Sequence, residues 1–235
     1  MKTTALAVIA TIATTPAFSQ EWDLKLTPYL WAAGIDGSVG VGPLSAESSV
    51  DFSDIVDVLS GAVLLRFDAQ TDRHGFFGDL TYMSLEDDEA RDVLGGSLGL
   101  ELDSLILEGA YYSRLSETFA VEIGARYWDL ETTLQPAVLA QLNNDTSWTD
   151  GFVGLRVSRD LGRDWDWMLR ANIGGGGSDL SAGLHVDFRK KMGRGNSLDL
   201  GLRILDIDYE EGSGLSAMKL DTTFQGFTIG YGFGL

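Results

Sequence analysis

The chain has no cysteine, 4 prolines, 2 histidines and about half as many bases as acids, 17 against 35, in 235 residues. Without cysteine there is no disulfide scaffold, no thiolate metal cluster, no cysteine nucleophile and no lipid-modified N-terminal Cys. A formal net charge of −18 repels a phosphate backbone and argues against nucleic acid as a partner. Long apolar runs are missing too. Beyond residue 20 the longest is Tyr29 to Ile35, far short of the roughly 20 residues that a transmembrane helix needs. What the chain does have is 29 glycines with 6 Trp, 7 Tyr and 11 Phe. Glycine weakens helix interiors and aromatics favour pleated surfaces, so the composition points to an all-β protein.

The N-terminus reads as a targeting signal. Lys2 supplies a positive start, Leu6 to Ala13 an apolar stretch interrupted by Thr11, and Ala17-Phe18-Ser19 a small-x-small cleavage site before Gln20. The expected organisation is a signal peptide over 1–19 and one domain over 20–235. An exported chain with no helical anchor is soluble, secreted, or inserted in an outer membrane as a barrel. A spanning barrel alternates lipid-facing apolar with lumen-facing polar residues. Several segments do so. Phe119, Val121, Ile123 and Ala125 alternate with Glu122 and Arg126; Leu180, Ala182, Leu184, Val186 and Phe188 alternate with His185, Asp187 and Arg189.

Alternation marks ten strands, at 22–34, 59–71, 76–86, 98–113, 119–132, 150–160, 165–175, 180–189, 197–209 and 220–235. Short turns, as at 72–75, 115–118, 161–164 and 191–196, alternate with longer loops at 35–58, 87–97, 133–149 and 210–219, with one short exception at 175–179. This predicts a closed up-and-down antiparallel transmembrane β-barrel of ten strands, with eight as the next count. Charge divides the same way. The loop ends carry Asp36, Asp54, Asp57, Glu86, Asp129, Glu131, Asp206, Asp208, Glu210 and Glu211, whereas the short-turn ends carry Arg73, Arg114, Arg159, Arg163, Lys190, Lys191 and Arg194. In the first long loop, Phe52, Ile55, Val56 and Leu59 recur at helical spacing behind Ser53, which predicts a short helix folding toward the barrel mouth.

At the C-terminus, Phe227, Ile229, Tyr231, Phe233 and Leu235 occupy every second place. This resembles the last strand of Gram-negative outer-membrane barrels, where such a pattern acts as an assembly signal, although Leu235 stands where an aromatic is usual. The segments Thr27-Pro28-Tyr29-Leu30-Trp31-Ala32-Ala33-Gly34-Ile35-Asp36-Gly37, Phe52-Ser53-Asp54-Ile55, Gly124-Ala125-Arg126-Tyr127-Trp128-Asp129-Leu130-Glu131 and Leu205-Asp206-Ile207-Asp208-Tyr209 resemble a family of small proteobacterial outer-membrane β-barrel proteins, in the style of the OmpA and OmpW barrels. The resemblance implies the fold and a cell outer-membrane location. It brings no catalytic motif.

No His-Glu-x-x-His or phosphate-cradling loop is present, so no enzyme, metal or cofactor is expected. The inward positions carry the mechanistic content. Lys25, Arg66, Arg126, Arg156, Arg170, Arg189 and Arg203 face Asp68, Asp79, Glu108, Glu122, Asp166, Asp187 and Asp199, with His185 among them. Charges in so narrow a lumen should pair, because an unpaired charge away from water is costly. An acid–base relay of His185, Asp187 and Arg189 is the alternative to an ion-pair network. Trp22, Phe119, Trp165 and Trp167 at one end, and Tyr82, Tyr127 and Trp148 at the other, suggest two aromatic girdles. The expected function is an integral outer-membrane protein, structural or a narrow, porin-like passive channel for small solutes. Its expected partners are outer-membrane lipids, lipopolysaccharide and the barrel-assembly machinery. A soluble exported barrel binding a small apolar ligand, or an outer-membrane enzyme with an unrecognised site, are the alternatives.

Overall fold

A computed structural model describes residues 22–41, 44–50, 52–87, 98–136, 142–212 and 218–235. The expected signal peptide lies outside them. The elements are β1 (Asp23–Val41), β2 (Leu44–Val50), α1 (Phe52–Val58), β3 (Leu59–Gln70), β4 (His74–Asp87), β5 (Leu98–Arg114), β6 (Phe119–Pro136), β7 (Leu142–Gly162), β8 (Trp165–Gly176), β9 (Leu180–Lys191), β10 (Ser197–Glu211) and β11 (Met218–Gly234). Neighbours pair antiparallel in chain order, and β11 returns to β1, closing the sheet. The wall has ten strands. β2 stands outside the ring, folding back on the far end of β1 between Ile35 and Val41.

Each expected strand has its counterpart. The largest departures are at the loop end, where β1 continues to Val41, β6 to Pro136, and β7 starts at Leu142. Much of what reads as loop over 35–58 and 133–149 is therefore strand. The helix is there, but starts at Phe52, so Ser53 lies in its first turn and not at its cap, while Leu59 opens β3.

The short turns are held by side-chain oxygens. Thr71 Oγ1 accepts from the N–H groups of Arg73 and His74, at 3.3 and 3.1 Å, and Ser116 Oγ from those of Thr118 and Phe119, at 3.3 and 3.1 Å. Arg163 and Asp164 both take positive φ, 54° and 66°, the two-residue turn whose twist matches the strands it joins. Asp160 Oδ1 accepts from Gly162 N–H at 2.6 Å and holds that corner. This hydrogen bond, with Lys191 nearby, keeps the Asp160 carboxyl below its usual range.

The outward face has two zones. Nearer the short turns it is apolar and exposed: Phe119, Val121 and Ile123 on β6, Val153 and Leu155 on β7, and Phe227, Ile229, Tyr231 and Phe233 on β11, with Phe227 at 75%. A contiguous apolar band of this kind is what a lipid-facing wall requires. Toward the loops the polarity reverses. Leu205, Ile207 and Tyr209 turn inward and are buried, while Asp208 and Glu210 point out. The wall thus outgrows its apolar belt and becomes, at its far end, a barrel with a dry inside and a charged outside. The closing strand is tied at its last residue, Leu235 N–H donating to Leu24 C=O at 3.0 Å.

The belt and the reversal above it generate a paired expectation. Ile229→Arg, in the belt, should cost about 2–4 kcal/mol, whereas Asp208→Arg, outward on the neighbouring strand beyond the belt, should leave the urea midpoint close to wild type. Equal losses from both would mean that the boundary is misplaced.

Candidate functional site

The chemistry-bearing side chains line the lumen, because strand parity sends every second residue inward. They form three tiers. At the short-turn end is a cavity of about 430 Å³ whose lining includes Asp68, Gln70, Tyr112, Arg114, Arg156, Asp166, Arg189 and Lys191. Arg189 pairs with Asp199 at 3.0 Å, and Lys191 with Asp166 at 2.9 Å. Lys25 Nζ donates to Ser197 Oγ at 3.4 Å, while Asp68 Oδ2 is buried without a hydrogen-bond partner.

The middle tier is an ion-pair lattice. Arg126 Nε donates to Glu108 Oε2 at 2.8 Å, and its two terminal nitrogens reach Ser181 at 2.6 Å and Asn172 at 2.9 Å. Glu122 takes Arg156 at 2.6 Å and Arg170 at 2.8 Å, and Arg170 also bridges to Glu108. Across the lumen, Arg66 meets Asp187 at 3.0 Å and Asp79 at 3.6 Å, and Arg203 meets Asp79 at 3.0 Å. Tyr29 joins them, its hydroxyl donating to Asp79 at 2.9 Å and accepting from Arg203 at 2.7 Å. Carboxylates shared between two arginines make charge-assisted contacts on both oxygens, which offsets the desolvation of so many charges.

Two phenyl rings separate the guanidinium planes. The Arg156 and Arg170 guanidinium carbons lie 4.9 and 4.3 Å from the centre of Phe77, and those of Arg126 and Arg170 lie 5.3 and 5.4 Å from that of Phe152. Like charges are kept apart by faces that attract them. Close approach also requires glycine at two points. A Cβ on Gly183 would crowd Arg126 and Asn172, and one on Gly232 would meet Ser197 and the aliphatic stem of Lys25.

Within the lattice His185 Nε2 lies 3.2 Å from Asp187 and 3.3 Å from Arg66. Asp187 is held by Arg66 as well, and Arg189 is turned to Asp199 instead. The three residues of the alternative relay are therefore not aligned with one another. The cavity beside His185 is about 20 Å³, on the order of a single water.

The outer tier is apolar. Tyr29, Trp31, Leu64, Ile106, Trp128, Trp148, Leu205, Ile207 and Tyr209 are buried together. Rings stack across it, Trp128 on Trp148 at 5.6 Å, Trp148 on Tyr209 at 4.2 Å, Trp128 near Phe224 at 6.1 Å and Phe224 near Trp31 at 6.4 Å. Trp148 is thus a correction. It points into the lumen, with its Nε1 donating to Asp150 at 3.1 Å, and takes no part in a girdle. Asp150 is fully buried and accepts from the N–H groups of Gly177 and Ser178 at 3.1 and 2.8 Å, drawing the β8–β9 hairpin over the tier.

The sequence expectation included each charged member of the lattice but not Tyr29, Phe77, Phe152, Asn172 or Ser181. Inward parity was the available signal for these five, masked by the attention that charge attracts. Among the described residues no group of three or more His, Asp or Glu side chains is placed to hold a metal ion.

No family model matches the chain, and no curated protein matches it significantly. Among solved structures it is similar to Ail, the attachment invasion locus protein of Yersinia pestis, at 7% identity and TM-score 0.42, over 90% of this chain and 98% of that one. It is similar to Neisserial surface protein A at 11% identity and TM-score 0.35, over 91% and 97% of the two chains. The β domain of the Bordetella autotransporter BrkA gives 11% identity and TM-score 0.37, over 91% and 99%.

Removing one member of the lattice strands its partners. Arg126→Ala leaves Glu108 with one arginine fewer and should cost about 3–5 kcal/mol, read as a lowered urea midpoint, whereas Arg163→Ala at an exposed turn should change little. Similar midpoints would show that water has replaced the lost guanidinium.

Proposed function

We propose that the chain is an integral outer-membrane barrel whose lumen is shut, so that its role is structural and not that of an open pore. The observation that carries this reading is the double closure, an ion-pair lattice with room for about one water beneath a stacked aromatic tier. The exposed apolar belt supports insertion in a bilayer, since a soluble ligand-binding barrel would turn that face to its core. The loop-end acids and short-turn bases support an orientation with the termini in the periplasm. The partners that fit are outer-membrane lipids and lipopolysaccharide around the belt, and the assembly machinery that reads Phe227, Ile229, Tyr231, Phe233 and Leu235. No step of catalysis is assigned to any residue.

A second reading, a narrow passive channel, is favoured by the vestibule of about 430 Å³ at the short-turn end, which leads toward the charged tier. Single-channel recording separates the two. Membrane fractionation with heat-modifiable gel mobility tests the location. In planar bilayers the wild-type barrel should give no current steps, and resolved steps would establish the channel instead. Because the tiers close the lumen independently, Arg126→Ala and Trp148→Ala should each remain silent, while the double variant should leak.

A further inference from the structure

One seam of the wall is incomplete. β1 and β3 pair from Asp23↔Gln70 to Pro28↔Leu65, and there the ladder stops. The next six residues of β1, 29–34, and the matching stretch of β3, 59–64, have no pairing across the seam, although β1 stays bonded to β11 and β3 to β4 along the same heights. The β1–β11 seam skips only Thr27 and Pro28, so the six-residue gap between β1 and β3 is by far the longer of the two breaks in β1. The cause is legible. β3 begins with a bulge between Leu59 and Gly61 that turns it aside from β1.

The gap lies in the half of the belt toward the loops. Its outward flanks are Leu30, 68% exposed, and Val63, 53% exposed. A Cβ on Gly61 would meet nothing within 4 Å, and the neighbouring Ala62 is exposed. Behind the gap stands the apolar tier, with Trp31 and Leu64 nearest by register. Above it α1 lies against β1 and β4, with Ile55 buried. Open strand edges are not tolerated facing hydrocarbon unless something supplies polar partners.

We propose that this seam is a lateral opening that receives an acyl chain of an outer-leaflet lipid. The inference rests on the reading that the belt sits in an outer membrane with the short turns inside. A lipid meets both requirements of the gap in the right order. Its hydrocarbon chain lies between Leu30 and Val63 against the dry outer tier. Its ester region, with the water it carries, sits higher, at the level of Gly34 and Leu59, where the ladder between the two strands is still missing. A solute from the aqueous side would satisfy the edges and leave the apolar walls uncovered.

The test uses tryptophan quenching by lipids brominated in their acyl chains, with the protein reconstituted in vesicles. Trp22→Phe, Trp165→Phe and Trp167→Phe together remove the tryptophans of the short-turn end and leave Trp31, Trp128 and Trp148 inside the barrel. Partial quenching is expected in this triple variant, and it should vanish when Trp31→Phe is added, since Trp128 and Trp148 lie further along the stack, beyond Phe224. If the parent is quenched and the triple variant is not, the seam is closed to lipid and the proposal falls. An unquenched parent would mean that the barrel is not in the bilayer, which removes the underlying reading as well.

A second measurement does not depend on those variants folding. The chain has no cysteine, so paired substitutions report cleanly. Leu26→Cys/Phe67→Cys spans a paired position of this seam and should oxidise to a disulfide. Leu30→Cys/Val63→Cys, four residues further along the same face, should not, because its strands stand too far apart. Equal oxidation of the two pairs overturns the opening.

Discussion

Pairing of buried charge is the interaction on which the rest of this barrel depends. A ten-stranded sheet encloses slightly more space than side chains of ordinary size can fill, and here long arginines fill it. Each guanidinium enters only because a carboxylate on another strand is waiting. Arg66 of β3 reaches Asp187 of β9, and Arg203 of β10 reaches Asp79 of β4. These contacts cross the lumen, so they fix the diameter of the barrel as well as filling it. The outward belt can then be left to lipid.

The two closures differ in physical kind. The lattice is strong where both partners are present and costly where one is missing, so it specifies a single arrangement. The aromatic tier is non-directional and tolerates small shifts. Phe77 and Phe152 share features of both, being apolar rings whose faces are occupied by cations. Their position explains how Arg126, Arg156 and Arg170 lie near one another around only two glutamates.

Strand count, alternation of short and long connections, and the inward charges were legible because the belt section obeys one rule, apolar out and polar in. The rule fails where the wall leaves the belt. At Ile204-Leu205 two adjacent apolar residues mark the change of sense, and beyond it the inward positions of Arg203's parity become apolar, with Ile207 and Tyr209 forming the core of a new section. Trp148 was misplaced for the same reason. Chain-distant partners such as Tyr29 with Asp79 and Arg203 depend on register around the whole ring, which no local pattern carries. Pro28 interrupts β1 against β11 only, whereas the longer gap against β3 begins beyond it, beside a bulge at Leu59 and Gly61 that no local pattern carries.

The reversal of polarity along the wall has a consequence for the exposed rim. Because the loop-end section carries its own aromatic core, its cross-section does not rely on lateral pressure from surrounding lipids. The rim is a collar braced from within by Trp128, Trp148 and Tyr209.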